Sequence, residues 1–138
     1  MPHTKFLLSY LKYELEDIVG QENVVTDSAE LDSQVLDVWW ITRYLLNNEN
    51  VPLPKPLAIV FPLSTEHVLE LTRFANEHKI PLVPRGGGAG DVGGVLPIHG
   101  GIVVDTMRMN RILELNERSL TVRVQPGLIQ KELESWLN

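Results

Sequence analysis

The chain has no cysteine, which excludes disulfides, thiolate metal sites and a cysteine nucleophile. Nor is there an excess of positive charge: 12 Lys and Arg stand against 18 Asp and Glu, a net charge of −6, and no basic stripe that would mark a nucleic-acid binder occurs. No apolar run approaches the ~20 residues that span a bilayer. The N-terminus, Met1-Pro2-His3-Thr4-Lys5, lacks the charged and apolar regions of a secretion signal, so a cytoplasmic location is expected. The four histidines, His3, His67, His78 and His99, are scattered without metal-ligand spacing. Ser64 and Ser135 suit a helix cap and an exposed helical position, and no nucleophile–base pair suggests itself. No residue is nominated as catalytic or metal-binding.

What remains is an ordinary globular composition of 138 residues, 43% hydrophobic and 22% charged, the size of one domain with a real core. The charge is uneven: residues 1–50 hold nine acidic and three basic side chains, while the rest balances. A solvated face is the plain reading of that acidic leader, and an acidic docking surface is the alternative.

Apolar spacing over Thr4–Val19 (Phe6, Leu7, Tyr10, Leu11, Ile18) predicts a helix with Thr4 as N-cap and Gly20 as its stop. A second helix is expected over Asp32–Asn47, carrying Val35, Leu36, Trp39, Trp40, Tyr44 and Leu45. Trp39 and Trp40 suit packing of the leader onto the body. Asn47 to Asn50 with Pro52, Pro54 and Pro56 then read as a linker, which divides the chain into a leader, 1–56, and a body, 57–138.

The body has α/β order. Leu57–Phe61 is a buried strand; Ser64 caps a helix over Glu66–His78 with Val68, Leu71, Thr72 and Ala75 on one face; Ile80–Val83 is a second strand. This βαβ order implies parallel pairing. Ile102–Asp105 is a third strand, Arg111–Leu115 and Leu120–Val124 form a hairpin, and Ile129–Leu137 a last helix.

Six of the ten glycines fall within Pro84–Gly94, directly after the second body strand. Such a loop takes positive φ and turns successive N–H groups into a concavity for an anion, typically a phosphate. Gly88-Ala89-Gly90-Asp91-Val92-Gly93 matches G-x-G-x-x-G, but Gly94-Val95-Leu96-Pro97-Ile98-His99-Gly100-Gly101 would not form the helix that a Rossmann site requires. The missing Gly-Lys-Ser/Thr excludes a P-loop. On these residues alone, a phosphate cradle and an unliganded surface turn both stay open.

The wider pattern carries more. Pro62-x-Ser64-Thr65-Glu66-His67-Val68, the run Ala75 to Gly88, Gly100 to Asp105, Met109-Asn110-Arg111-Ile112 and Val124-Gln125-Pro126-Gly127 resemble the FAD-linked oxidase family of the vanillyl-alcohol oxidase type, which includes glycolate oxidase subunits, D-lactate dehydrogenases and alkyl-glycerone-phosphate synthases. Asp37-Val38-Trp39-Trp40 also looks like some bacterial members. The resemblance implies the first lobe of a PCMH-type FAD-binding domain, a small mixed sheet flanked by helices, in an FAD-dependent oxidoreductase acting on 2-hydroxy acids such as glycolate or D-lactate. It implies that Arg85, Gly86, Gly87, Gly88, Ala89 and Gly90, with Val92, Gly93 and Gly94, line the FAD pyrophosphate. Pairing with a carboxylate is the alternative for Arg85, and Asp105 and Met109 suit a strand end and the core.

Three departures from the family stand out. Ala89 and Val92 replace hydroxyl residues that would donate to phosphate, at about 0.5–1.5 kcal/mol per bond. Asp91 adds a negative charge to the loop. Members also continue into a second FAD-binding subdomain and a substrate cap, so the chain alone is expected to be incomplete and inactive. It is expected to meet a second chain or another copy of itself; a non-catalytic binding or assembly module that kept the fold is the alternative.

Overall fold

The computed structural model describes residues 2–34, 36–48 and 54–138. Val35, Glu49, Asn50 and Pro52, assigned above to a helix or linker, lie outside the described residues, as do the side chains of Phe6 and Leu7.

Helix α1 runs Pro2–Val19, so Thr4 lies inside it rather than at its cap. Gly20, at φ 90°, ends it and donates its N–H back to the Glu16 carbonyl at 2.9 Å. A short turn then leads into β1 (Val24–Val25). The single helix expected over Asp32–Asn47 is instead two, α2 (Ser28–Gln34) and α3 (Trp40–Asn48). Between them the Asp37 carboxylate takes the Trp39 N–H at 3.0 Å, a side-chain turn that competes with helical hydrogen bonding.

The body follows the expected order: β2 (Ala58–Val60), α4 (Thr65–His78), β3 (Leu82–Arg85), β4 (Ile102–Asp105), β5 (Ile112–Asn116), β6 (Thr121–Val124) and α5 (Gln130–Leu137). Ser64 caps α4, its hydroxyl accepting from the His67 N–H at 3.3 Å. Leu71, Phe74 and Ala75 form the buried face of α4; Thr72 is exposed and bonds its own helix at the Val68 carbonyl. Strands β5 and β6 form a separate antiparallel hairpin.

The main sheet has the order β1-β2-β4-β3. The βαβ unit is parallel as expected, but β2 and β3 do not touch: β4 inserts between them and pairs in parallel with both. Antiparallel β1 closes the far edge and ties the leader to the body.

Alternation sorts the sheet residues onto two faces. Ala58, Val60, Ile102 and Val104 meet Leu11, Leu15 and Val19 of α1 and Leu71 and Phe74 of α4. Ile59 and Val103 meet Leu31 of α2 on the other face. The leader thus supplies part of the core.

Gly101 makes the entry to β4 possible. It sits at φ +83°, and a Cβ there would overlap the Pro81 carbonyl, which accepts the Ile102 N–H at 2.9 Å. Gly101→Ala is expected to cost about 2–4 kcal/mol from left-handed strain plus overlap with fixed backbone. A melting temperature within one degree or so of the native protein's would refute this account of β4.

Candidate functional site

Parallel sheets bind ligands beyond the carboxyl ends of their strands. Here β3 and β4 end side by side, Arg85 opposite Asp105 in the last rung, and the glycine loop leaves from that edge.

Arg85 turns inward. Its Nε donates to Asp105 Oδ2 at 3.1 Å, and its Nη1 donates to the Leu36 carbonyl at 3.1 Å. Its own carbonyl accepts from Thr106 Oγ1 at 3.1 Å. Both side chains of the pair are largely shielded from water. Of the two readings of Arg85, pairing with a carboxylate is thus what the geometry displays. The guanidinium still bears on the loop, because Gly88 (φ +65°) passes so close that a Cβ there would overlap it. A positive charge therefore lies directly beneath the turn.

Burial pushes the Asp105 carboxyl above its ordinary value, while the Met107 N–H at 2.9 Å and the Arg85 charge pull it partly back. Asp105 does end its strand, as expected, and Met109 is buried in the fold.

The loop has two unlike halves. Gly86 and Gly87 back onto the Pro126–Ile129 segment: a Cβ on Gly86 would lie 3.7 Å from the Pro126 carbonyl oxygen, and one on Gly87 3.3 Å from Ile129 Cδ1. Among the described residues, the N–H groups of Gly87, Gly88 and Ala89 meet no acceptor. The second half is held by the leader. The Gly90 carbonyl accepts from the Val38 N–H at 3.2 Å, and the Gly93 N–H donates to Asp37 Oδ2 at 3.0 Å. Gly93 (φ +76°) lies against the Trp39 ring, 2.7 Å from where its Cβ would be. Ala89, Asp91 and Val92 are exposed, and around Gly94 nothing lies within 4 Å of an added Cβ.

The nominated residues thus form one continuous stretch: Arg85 ends β3, and those from Gly86 to Gly94 fall in the loop that follows it. Asp37 and the Leu36 carbonyl were not nominated. Their signal in the sequence is a lone Asp within the apolar stretch Leu36–Trp40. Trp39 packs against the loop as expected of it, whereas Trp40 is exposed and stacks edge-on with Tyr44 of its own helix. Among the described residues, no group of His, Asp and Glu is placed to hold a metal ion.

Comparison with known proteins adds a chemical identity to this geometry. A family model described as FAD binding domain matches residues 56–138. D-2-hydroxyglutarate dehydrogenase of Stutzerimonas stutzeri is 37% identical over 123 residues, which are 89% of this chain and 24% of that protein. Glycolate oxidase subunit GlcD of Bacillus subtilis is 40% identical over 78 residues, 56% of this chain and 17% of the relative. Among solved structures, 4-ethylphenol oxidase from Gulosibacter chungangensis superposes with a TM-score of 0.78 at 30% identity, over 94% of this chain and 24% of that one. The chain therefore spans about a quarter or less of the relatives it matches.

The Asp105 titration has a definite sign. A carboxyl raised above its ordinary 3.8 on folding binds its proton more tightly in the native state, so it stabilises most when protonated. As pH rises above that ordinary value and through the raised titration, the native protein should lose stability relative to Asp105→Asn. Paired melting curves across that range would check it; a difference moving the other way would refute the assignment.

Proposed function

We propose, from the premise that this chain belongs to the FAD binding domain family, that it grips the pyrophosphate of FAD with its glycine loop as part of an FAD-dependent oxidoreductase acting on a 2-hydroxy acid of the glycolate or D-lactate kind. The observation that carries this reading is the open arc Gly87–Ala89, with unengaged N–H groups, glycine backbone and the Arg85 guanidinium beneath it. Such an arc suits a diphosphate: backbone N–H groups converge where side chains would block approach, and the buried cation adds favourable potential.

The roles divide as follows. Gly86–Gly90 form the cradle, and Val92, Gly93 and Gly94 complete its rim. Arg85 supports the loop from below and contributes charge rather than a direct fork, since its Nε and Nη1 are engaged. The chemistry that FAD supplies when bound is acceptance of a hydride from substrate and onward passage of the electrons. This chain's own residues bind and orient; none is proposed to hold or move the substrate proton. The division into a leader, 1–56, and an FAD-binding lobe, 57–138, belongs to this reading, as does a cytoplasmic location. No helix among the described residues is long and apolar enough to cross a membrane.

The reading includes a partner, either a second chain or another copy of this chain. In support, Leu113, Leu115 and Leu120 of the hairpin and Trp136 and Leu137 of α5 are exposed, Leu120 by 90%. Leu115, Leu120 and Leu137 line one groove together, and exposed apolar surface of this kind marks interfaces. A second reading, a non-catalytic module that kept the fold, is favoured by Ala89 and Val92, which cannot donate to phosphate, and by the exposed Asp91.

Titration of the chain with FAD, followed by flavin fluorescence, tests the site. Saturable quenching is expected, and it should vanish in Gly88→Val, whose side chain would fill the floor of the cradle and collide with Arg85. Absence of quenching in the native chain up to millimolar FAD would favour the non-catalytic reading of this lobe.

A further inference from the structure

We propose that Asp37 is a positioning residue for the cofactor loop: its carboxylate holds the Gly90–Gly93 arc against the leader, so that the Gly86–Ala89 arc is set in shape before a ligand arrives. This role presupposes that the loop is the pyrophosphate cradle, as proposed above.

Asp37 is 3% exposed, and its two oxygens do separate work. Oδ1 takes the Trp39 N–H within the leader, and Oδ2 takes the Gly93 N–H across the gap, both at 3.0 Å. The Val38 N–H answers in the opposite direction, to the Gly90 carbonyl. The Trp39 ring closes over Gly93, and the Leu36 carbonyl holds Arg85 at the other end of the loop. Four consecutive leader residues, 36–39, therefore touch both ends of the glycine loop, about fifty positions along the chain. A buried carboxylate accepting two backbone N–H groups is compensated, whereas the same carboxylate without them would be costly to bury.

Two consequences follow for the loop. The Gly93 N–H is committed to a protein carboxylate, so Gly93 lines the site without donating to phosphate, and the donor set contracts to the Gly86–Ala89 side. Further, fixing the backbone of a flexible residue costs roughly 1–2 kcal/mol, and glycine loses most. A loop this rich in glycine would meet that cost on binding unless something in the free protein orders it, and preordering of this kind raises affinity.

Hydrogen–deuterium exchange of the chain, native and as Asp37→Ala and Asp37→Asn, reads this directly, with FAD titration of the same samples. In Asp37→Ala, peptides covering 86–95 should exchange faster, while those over β2 and β4 stay protected. The FAD dissociation constant should rise at least about tenfold, the equivalent of ordering one or two loop residues. Asp37→Asn, which keeps the shape and one acceptor oxygen, should fall between. A native chain that binds no FAD but whose loop loosens in Asp37→Ala would sink the cofactor reading and leave the organising role of Asp37 standing. Unchanged loop exchange, with FAD bound equally well by native and variant, would overturn the role of Asp37 and leave the cofactor reading intact. Should Asp37→Ala lose protection everywhere, Asp37→Asn decides: a folded variant with native loop exchange overturns the proposal, and selective loosening of 86–95 supports it.

Discussion

The carboxyl edge of the sheet depends on one shielded ion pair, Arg85 with Asp105. The two residues are partners in the last rung of the β3–β4 ladder, so the pair welds the strand ends from which the glycine loop departs. Neither charge would tolerate this environment alone, because an unpaired ion taken from water costs several kcal/mol. Around the pair, neighbouring groups add further bonds. Asp105 also takes the Met107 N–H, the Arg85 carbonyl takes the Thr106 hydroxyl, and Arg85 reaches the Leu36 carbonyl. The net result still leaves the Asp105 carboxyl raised, which shows that burial outweighs the compensation its partners bring.

From that pair outward, the loop is supported on three sides. The guanidinium lies beneath Gly88, Pro126 and Ile129 stand behind Gly86 and Gly87, and the leader grips Gly90 and Gly93. Ala89, Asp91 and Val92 all fall at exposed positions. On the proposed reading, with no hydroxyl at these positions, an anion would meet backbone N–H groups and the Arg85 charge beneath them, so the shape of the loop matters more than its side chains. The structural importance of the leader follows from the same geometry: it supplies α1 to the core, β1 to the sheet edge and residues 36–39 to the loop.

Much of the fold was legible in the residues themselves. Ser64 announces α4, Gly20 ends α1, the apolar run Ile102–Asp105 is β4, and alternation marks the hairpin. These signals are local: a cap, a positive φ, a period of two. The glycine loop was legible for the same reason, as a composition that only close approach or unusual φ explains. Less legible were the two-residue strand β1, too short to show a period, and the break between α2 and α3, where apolar spacing continues through a segment that a side-chain turn interrupts.

The sequence by itself determined the α/β order, the place of the loop after a buried strand, and the family to which residues 56–138 belong. Only the tertiary structure decided that β4 lies between β2 and β3, that Arg85 points inward to Asp105, and that Asp37 reaches across to Gly93. The physical reason is range. Propensity, capping and periodicity act within a few residues along the chain, whereas ladder order and buried charge pairing are settled between groups twenty to fifty-six positions apart, by which arrangement brings buried polar groups to their partners.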